Sequence, residues 1–290
     1  MQNRMEPVII IGMHRSGTSM LTKFIEESGI FIGKKNKMGP NKEAFFFQRI
    51  NEWMLFQKGA SWDNIDNLKF HSEFTNDNLI KVVKDRLQSI IHTRNYLHFR
   101  DIIFKGNLME CDLNWGWKDP KTTILLDVWS KIFPDAKIVH IYRNPIDVAC
   151  SLLERELLLE KKFYRNWRIR KREFFLTKRP NYNQSVRITN IFEGVKLWEE
   201  YIHCSLESEN YFKNVIHIGY EDFLFNPDNI LSELSSFLKI EIDRNVIESI
   251  ISKVNPKRAF AFKNNAKLVE LYESIKDREL VKKLNYDNLI

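Results

Sequence analysis

Cysteine is scarce in this chain of 290 residues. Cys111, Cys150 and Cys204 are far apart and odd in number, which excludes a disulfide framework or a cysteine-built metal knuckle. The seven histidines are equally scattered, and no carboxylate pair with metal-site spacing stands out. Apolar runs long enough to span a membrane are missing. The first buried strand begins at Val8, which leaves no room for the charged and apolar regions of a signal peptide. Repeats, low-complexity tracts and long linkers are missing too. These absences point to a reduced, cytoplasmic protein folded as one domain over residues 1–290. Contact with a membrane surface through basic patches stays open.

What is present is ordinary for a globular protein, at 43% hydrophobic and 29% charged residues. The net charge of +7 favours anionic ligands or surfaces. One stretch organises the rest. Val8-Ile9-Ile10-Ile11 reads as a fully buried strand of a parallel sheet. Gly12 ends it, and Gly17 opens an amphipathic helix through Leu21, Phe24 and Ile25 that closes at Gly29. A strand, a glycine-bounded loop and a helix aim backbone N–H groups and a positive helix end at one spot, which suits a phosphate. A nucleoside-triphosphatase loop carries Lys directly after its second glycine. Here Thr18 stands at that position, Ser19 follows, and the cation comes earlier, at Arg15. The loop therefore fits a single 5′-phosphoryl group with a substituent better than a triphosphate tail.

Further along, Glu43 to Lys58 is aromatic-rich at helical spacing (Phe45, Phe46, Phe47, Trp53, Phe56), readable as core or as an acceptor pocket. A helical stripe runs from Asn78 to Arg100. Trp115 to Pro120 reads as a short strand ended by a turn, Thr122 to Phe133 as a helix, and Lys137 to Tyr142 as a second confident strand. Pro145 opens the helix after it. Residues 161–179 hold nine Lys or Arg against one Glu, with aromatics interleaved. That run is a solvated helix face or lid by default; the alternatives are a clamp on an anionic acceptor and, more distantly, nucleic acid. Helices over 191–212 and 227–238 flank a strand at 215–220. The alternation predicts an α/β, P-loop-like, three-layer domain with a mostly parallel central sheet flanked by helices, plus a lid or acceptor insertion around 155–190.

The second strand–loop–helix unit repeats the logic of the first. Arg143 leaves the strand end, and Ser151 follows eight residues later inside the helix. Two phosphate-type sites at neighbouring strand ends suggest a nucleotide phosphorylated at two separate positions. At this point the sequence resembles the sulfotransferases that use 3′-phosphoadenosine 5′-phosphosulfate. Arg15-Ser16-Gly17-Thr18-Ser19 is similar to their 5′-phosphosulfate loop, and Arg143 with Ser151 to their 3′-phosphate motif. Lys118-Asp119-Pro120 and Phe133 to Lys137 resemble tyrosylprotein-type members. Tyr220-Glu221-Asp222 resembles a late element whose Tyr faces the adenine-ribose part of the donor. Lys257-Arg258 resembles a basic element at the 3′-phosphate, although Ala259 replaces the glycine expected next.

The resemblance implies in-line attack of an acceptor oxygen on sulfur, with Arg15 and Lys118 stabilising the charge on the departing 5′-phosphate. The implied donor is 3′-phosphoadenosine 5′-phosphosulfate, with no metal and no nucleic acid partner. The implied acceptor is a hydroxyl on a saccharide, glycolipid or small metabolite, anionic or not. Glu43 is the candidate general base, with Asp119 and His14 behind it. His140 reads as structural. A P-loop kinase and a non-catalytic nucleotide-binding module are the rival readings.

Overall fold

The structure, a computed structural model, describes residues 5–33, 38–39, 41–70, 73–89, 108–165, 185–241, 243–252 and 255–290. Parts of the 34–42 loop, of the 78–100 stripe and of the basic run 161–179 lie outside the described residues. The elements in chain order begin with β1 (Val8–Ile11), α1 (Thr18–Glu27), α2 (Phe45–Gln57), α3 (Glu73–Gln88) and β2 (Gly116–Lys118). Next come α4 (Leu126–Ile132), β3 (Lys137–Tyr142), α5 (Pro145–Arg165), α6 (Ile191–Leu206), α7 (Ser208–Tyr211) and β4 (Asn214–Gly219). The chain ends through α8 (Tyr220–Phe225), α9 (Pro227–Leu238), α10 (Arg244–Ile251), α11 (Ala266–Ile275) and α12 (Glu279–Lys283).

Contacts divide the chain into two compact units, one of Met1–Arg143 with Tyr201–Ala259 and one of Asn144–Glu200 with Phe260–Ile290. The first holds a four-stranded sheet in the order β2-β1-β3-β4, with every pair parallel. Apolar side chains on both faces of β1 demand cover on both sides, as parallel sheets require. Side-chain alternation sorts the faces. Val8, Ile10, Val139, Ile141, Ile216 and Ile218 pack against Leu21, Phe24 and Ile25 of α1, Phe223 of α8 and Leu231 and Leu234 of α9. Ile9 is level with Trp117 and Ile138 on the opposite face. There Trp117 stacks on Phe47 of α2 at 4.2 Å, with Trp129 of α4 tilted at 4.7 Å. The buried aromatics Phe46 and Phe47 are thus core and not acceptor pocket.

Several boundaries differ from the sequence reading for local reasons. The helix expected from Thr122 starts as a tight 3₁₀ turn over Pro120–Leu125, because the Asp119 carboxylate accepts the Lys121 N–H at 3.0 Å and Pro120 has no N–H to give. The helix expected over 191–212 breaks after Leu206 into α6 and α7. In the second unit, Asp147 in the first turn of α5 accepts the N–H groups of Ala261 and Phe262 at 3.1 and 2.9 Å. Ile146, Ala149, Val195, Phe262, Tyr272 and Ile275 form its core. Among the described residues no helix is long and apolar enough to cross a membrane.

Candidate active site

The sheet order fixes where a ligand can sit. The chain leaves β1 toward β2 on one side and leaves β3 toward β4 on the other, so β1 and β3 flank the point where the winding reverses. Gly12 follows β1 there, and Arg143 follows β3. At Gly12 (φ +136°) a Cβ would run into the Ile141 carbonyl oxygen of β3, so only glycine allows the loop to pass this close. The Gly12 N–H is in turn held by Thr123 Oγ1 at 3.0 Å. Arg15 is exposed and adopts φ +72°, a left-handed conformation that disfavours an L residue by roughly 1–2 kcal/mol. Strain of this kind collects where a loop is shaped for a ligand.

Gly17 caps α1 at φ +95° with no side-chain cap, and no acidic residue occupies the first turn. The Met20 N–H turns back to the Gly17 carbonyl at 3.0 Å, and the Thr18 and Ser19 N–H groups ahead of it are left for an anion. Ser16 is fully buried, and its Oγ has no hydrogen-bond partner among the described residues. An orphaned buried hydroxyl beside an uncapped helix end fits a phosphoryl-type oxygen. Thr18 is buried in the same turn. Ser19, expected to donate to the ligand, instead donates to the Asn41 carbonyl at 3.0 Å, which ties the following loop to α1.

A Cβ at Gly17 would also lie 2.8 Å from Cε2 of Tyr220, whose ring presses on the loop. The Arg143 guanidinium stacks over that same ring with Cζ 4.8 Å from its centroid. Arg143 Nη2 donates to the Arg258 carbonyl at 2.7 Å. Gly17, Tyr220, Arg143 and Arg258 are therefore one continuous cluster. The Arg258 side chain is exposed. Ser151 lies on α5 in the second unit and is partly exposed.

Lys118 ends β2, level with Ile10 of β1 and on the same face of the sheet. It is 1% exposed, and its Nζ donates to Glu43 Oε1 at 2.7 Å. An ammonium has three N–H donors. Glu43 is the one hydrogen-bond partner of the Lys118 ammonium among the described residues, so two of its donors remain for something else. Burial lowers the Lys118 pKa from its ordinary value, against the pull of Glu43 in the other direction. Glu43 stands just before α2, where the Gly39 N–H holds its carbonyl at 2.9 Å.

Asp119 and His14, the reserve candidates for the base, are both engaged. The Asp119 carboxylate accepts from Asn51 Nδ2 at 2.9 Å and from the Lys121 N–H, and burial raises its pKa. Asn51 also donates to Thr122 Oγ1 and accepts from Trp129 Nε1, each at 2.9 Å, so it knits the turn after β2 to α2 and α4. His14 meets Trp62 edge to face at 4.9 Å. Asn51, Thr123 and Trp62 were not singled out from the sequence. The Asp119-Pro120 cap signal marks the turn that carries Thr123, but nothing local marks its partner in the loop.

A sequence model of the sulfotransferase family matches residues 7–244. The chain belongs to the sulfotransferase family. It matches no curated protein. Among solved structures, this sulfotransferase is similar to the sulfotransferase domain from the curacin biosynthetic pathway (13% identity, TM-score 0.45, covering 94% of this chain and 98% of that one). It is also similar to the sulfotransferase domain of the Synechococcus PCC 7002 olefin synthase (13%, 0.46, 94% and 95%). A third is a sulfotransferase from Alicyclobacillus acidocaldarius (15%, 0.44, 96% and 96%). Among the described residues, no group of three or more His, Cys, Asp and Glu is placed to hold a metal ion.

Proposed function

We propose that this sulfotransferase moves a sulfuryl group from 3′-phosphoadenosine 5′-phosphosulfate to a hydroxyl acceptor, a saccharide, glycolipid or small metabolite. The observation that carries the reading is Lys118, a buried ammonium with two unused donors, one strand away from an uncapped loop and the orphaned Ser16 hydroxyl. The loop N–H groups, Ser16 and Thr18 hold the 5′ end of the donor. Arg15 and Lys118 stabilise the negative charge that grows on the oxygen bridging phosphorus and sulfur. Such donors are each worth about two to three orders of magnitude in rate. Arg143, with Arg258 beside it, takes the 3′-phosphate, and Tyr220 faces the adenosine. The role of Ser151 in 3′-phosphate binding rests on the sequence motif.

Glu43 takes the acceptor proton. As the acceptor oxygen bonds to sulfur, the bond from sulfur to the bridging oxygen breaks, and 3′,5′-bisphosphoadenosine leaves. Lys118 touches the base and has donors to spare for the leaving oxygen, so one side chain serves both ends of the displacement. A ligand that binds only the native state raises its melting temperature. The reading expects a clear rise with 3′,5′-bisphosphoadenosine that needs no magnesium, and little with ATP. A larger, magnesium-dependent rise with ATP would sink it in favour of phosphoryl transfer.

A further inference from the structure

The chain just ahead of Glu43 is fixed from two sides. Its backbone closes on itself, with the Gly39 N–H donating to the Glu43 carbonyl at 2.9 Å and the Lys42 N–H to the Gly39 carbonyl at 3.0 Å. Met38 and Ala44 pair as an antiparallel bridge at the foot of this turn, and Ala44 is fully buried. Two further ties run to α1, the helix that opens at the donor loop. Ser19 Oγ donates to the Asn41 carbonyl at 3.0 Å, and Lys42 Nζ to Glu26 Oε2 at 2.7 Å. Lys42 adopts φ +66°, a left-handed conformation that persists only where the surroundings impose it. One helix thus carries both the donor loop and the segment that presents the base.

This anchoring gives the two carboxylate oxygens of Glu43 different surroundings. Oε1 accepts from Lys118. Oε2 takes no hydrogen bond from any described residue, and the side chain stays 10% exposed. Beside Oε2 stands Gly39, itself partly exposed. A Cβ on Gly39 would lie 3.5 Å from Oε2 and 3.7 Å from Cε1 of Phe45, so a carbon fits there without a clash. The backbone does not ask for glycine here, because Gly39 is not among the residues with positive φ. The distance has a chemical meaning. A hydroxyl donating to a carboxylate oxygen sits about 2.7 Å from it, which puts the carbon bearing that hydroxyl about 3.5 Å away.

We infer that Glu43 Oε2 takes the acceptor proton and that Gly39 is a specificity-determining residue, its missing side chain leaving open the place of the hydroxyl-bearing carbon. This rests on the reading of Glu43 as base and adds to it the reacting oxygen and the side of approach. The proton moves to Oε2 as the acceptor oxygen bonds to sulfur. The bond from sulfur to the bridging oxygen breaks, and its electron pair leaves with the 5′-phosphate. Lys118 keeps its bond to Oε1 throughout.

The test uses donor labelled in its sulfuryl group, with methanol, ethanol or 2-propanol added as probe acceptors. Each reaction yields alkyl sulfate and, from water, inorganic sulfate, and their ratio does not depend on how much enzyme is folded. The original protein should form both above the enzyme-free rate. Gly39→Ala should lower the ratio of alkyl to inorganic sulfate by about tenfold or more, because water has no carbon to place there. The loss should be larger for 2-propanol than for methanol. The melting-temperature rise with 3′,5′-bisphosphoadenosine should persist in the variant. A ratio within about twofold of the original for all three alcohols overturns the inference. So does a lack of alkyl sulfate from a protein that binds the bisphosphate. Glu43→Gln separates this inference from the reading beneath it. If Glu43→Gln transfers as fast as the original protein, the base assignment fails and this inference falls with it. If Glu43→Gln is slow and Gly39→Ala keeps the original ratio, this inference alone fails.

Discussion

Glu43 and Lys118 stand 75 positions apart in the chain and meet at 2.7 Å in a site where the lysine is 1% exposed. Breaking a buried ion pair by removing one partner typically destabilises by about 3–5 kcal/mol, because the other charge is left unpaired. Lys118→Met should therefore lower the melting temperature markedly. Lys118→Met with Glu43→Gln should recover part of the loss, since no lone carboxylate remains. Calorimetry on the single and double variants checks this, and equal melting temperatures would show that the pair does not couple.

The catalytic consequence of the same pair is separable from its stability. Glu43→Gln keeps a hydrogen-bond acceptor for Lys118 but cannot take a proton. It should bind 3′,5′-bisphosphoadenosine normally while transfer falls by about two orders of magnitude or more, the usual size of a general-base contribution. Single-turnover measurement with labelled donor decides. Transfer at the original rate would remove Glu43 from the base role.

Arg143 should govern recognition of the 3′-phosphate. Its guanidinium is held flat on Tyr220 and fixed by the Arg258 carbonyl, a geometry that lysine cannot reproduce. Arg143→Ala and Arg143→Lys should both weaken 3′,5′-bisphosphoadenosine about tenfold or more while leaving adenosine 5′-phosphate nearly unaffected. Titration calorimetry with the two nucleotides reads this directly. Retained preference for the 3′-phosphorylated ligand in Arg143→Ala would place that site elsewhere.

Two glycines give a controlled test of the loop. Gly17 and Gly29 have similar backbone angles, φ +95° and +89°, but a Cβ meets the Tyr220 ring at Gly17 and nothing within 4 Å at Gly29. Gly29→Ala should lose only the backbone preference, about 1 kcal/mol. Gly17→Ala should lose more and also bind the bisphosphate poorly. Adding Tyr220→Ala should restore part of the stability. If the two alanine variants melt alike, the ring contact carries no weight.

What could be read from the chain beforehand follows from how local each signal is. Four consecutive apolar residues and two glycines reveal β1, its loop and α1 without help. Lys137 to Tyr142 with Pro145 does the same for β3 and the start of α5. β2 is only Gly116–Lys118, too short for any period, and its register with β1 comes from tertiary pairing. Resemblance supplied Glu43 and Lys118 as separate candidates, yet their contact depends on the path of α2. The bond from Gly12 to Thr123 spans 111 positions, and nothing in either segment announces it. Ser19 shows the converse limit. Its type suits a phosphate, but the Asn41 carbonyl claims it.

The histidine read as structural from the sequence has an energetic consequence of its own. His140 of β3 is paired in register with His217 of β4, and their Nδ1 atoms are 2.7 Å apart. One must donate and the other accept, so the pair holds only while at least one ring is neutral. His140 is fully buried, and burial first, then His217, holds its pKa well below the ordinary 6.5. Tyr142 lies on the same strand at 5.7 Å, and Glu209 faces the far nitrogen of His217 at 3.4 Å. With the folded pKa depressed, the unfolded chain binds the extra proton. The stabilisation is therefore complete above about pH 6.5 and is lost as pH falls toward the folded pKa, at up to about 1.4 kcal/mol per pH unit per proton. The melting temperature should fall between pH 7 and pH 5.5, and His140→Phe should flatten that slope while keeping the ring in the sheet face. An unchanged slope in His140→Phe would assign the acid sensitivity to other groups.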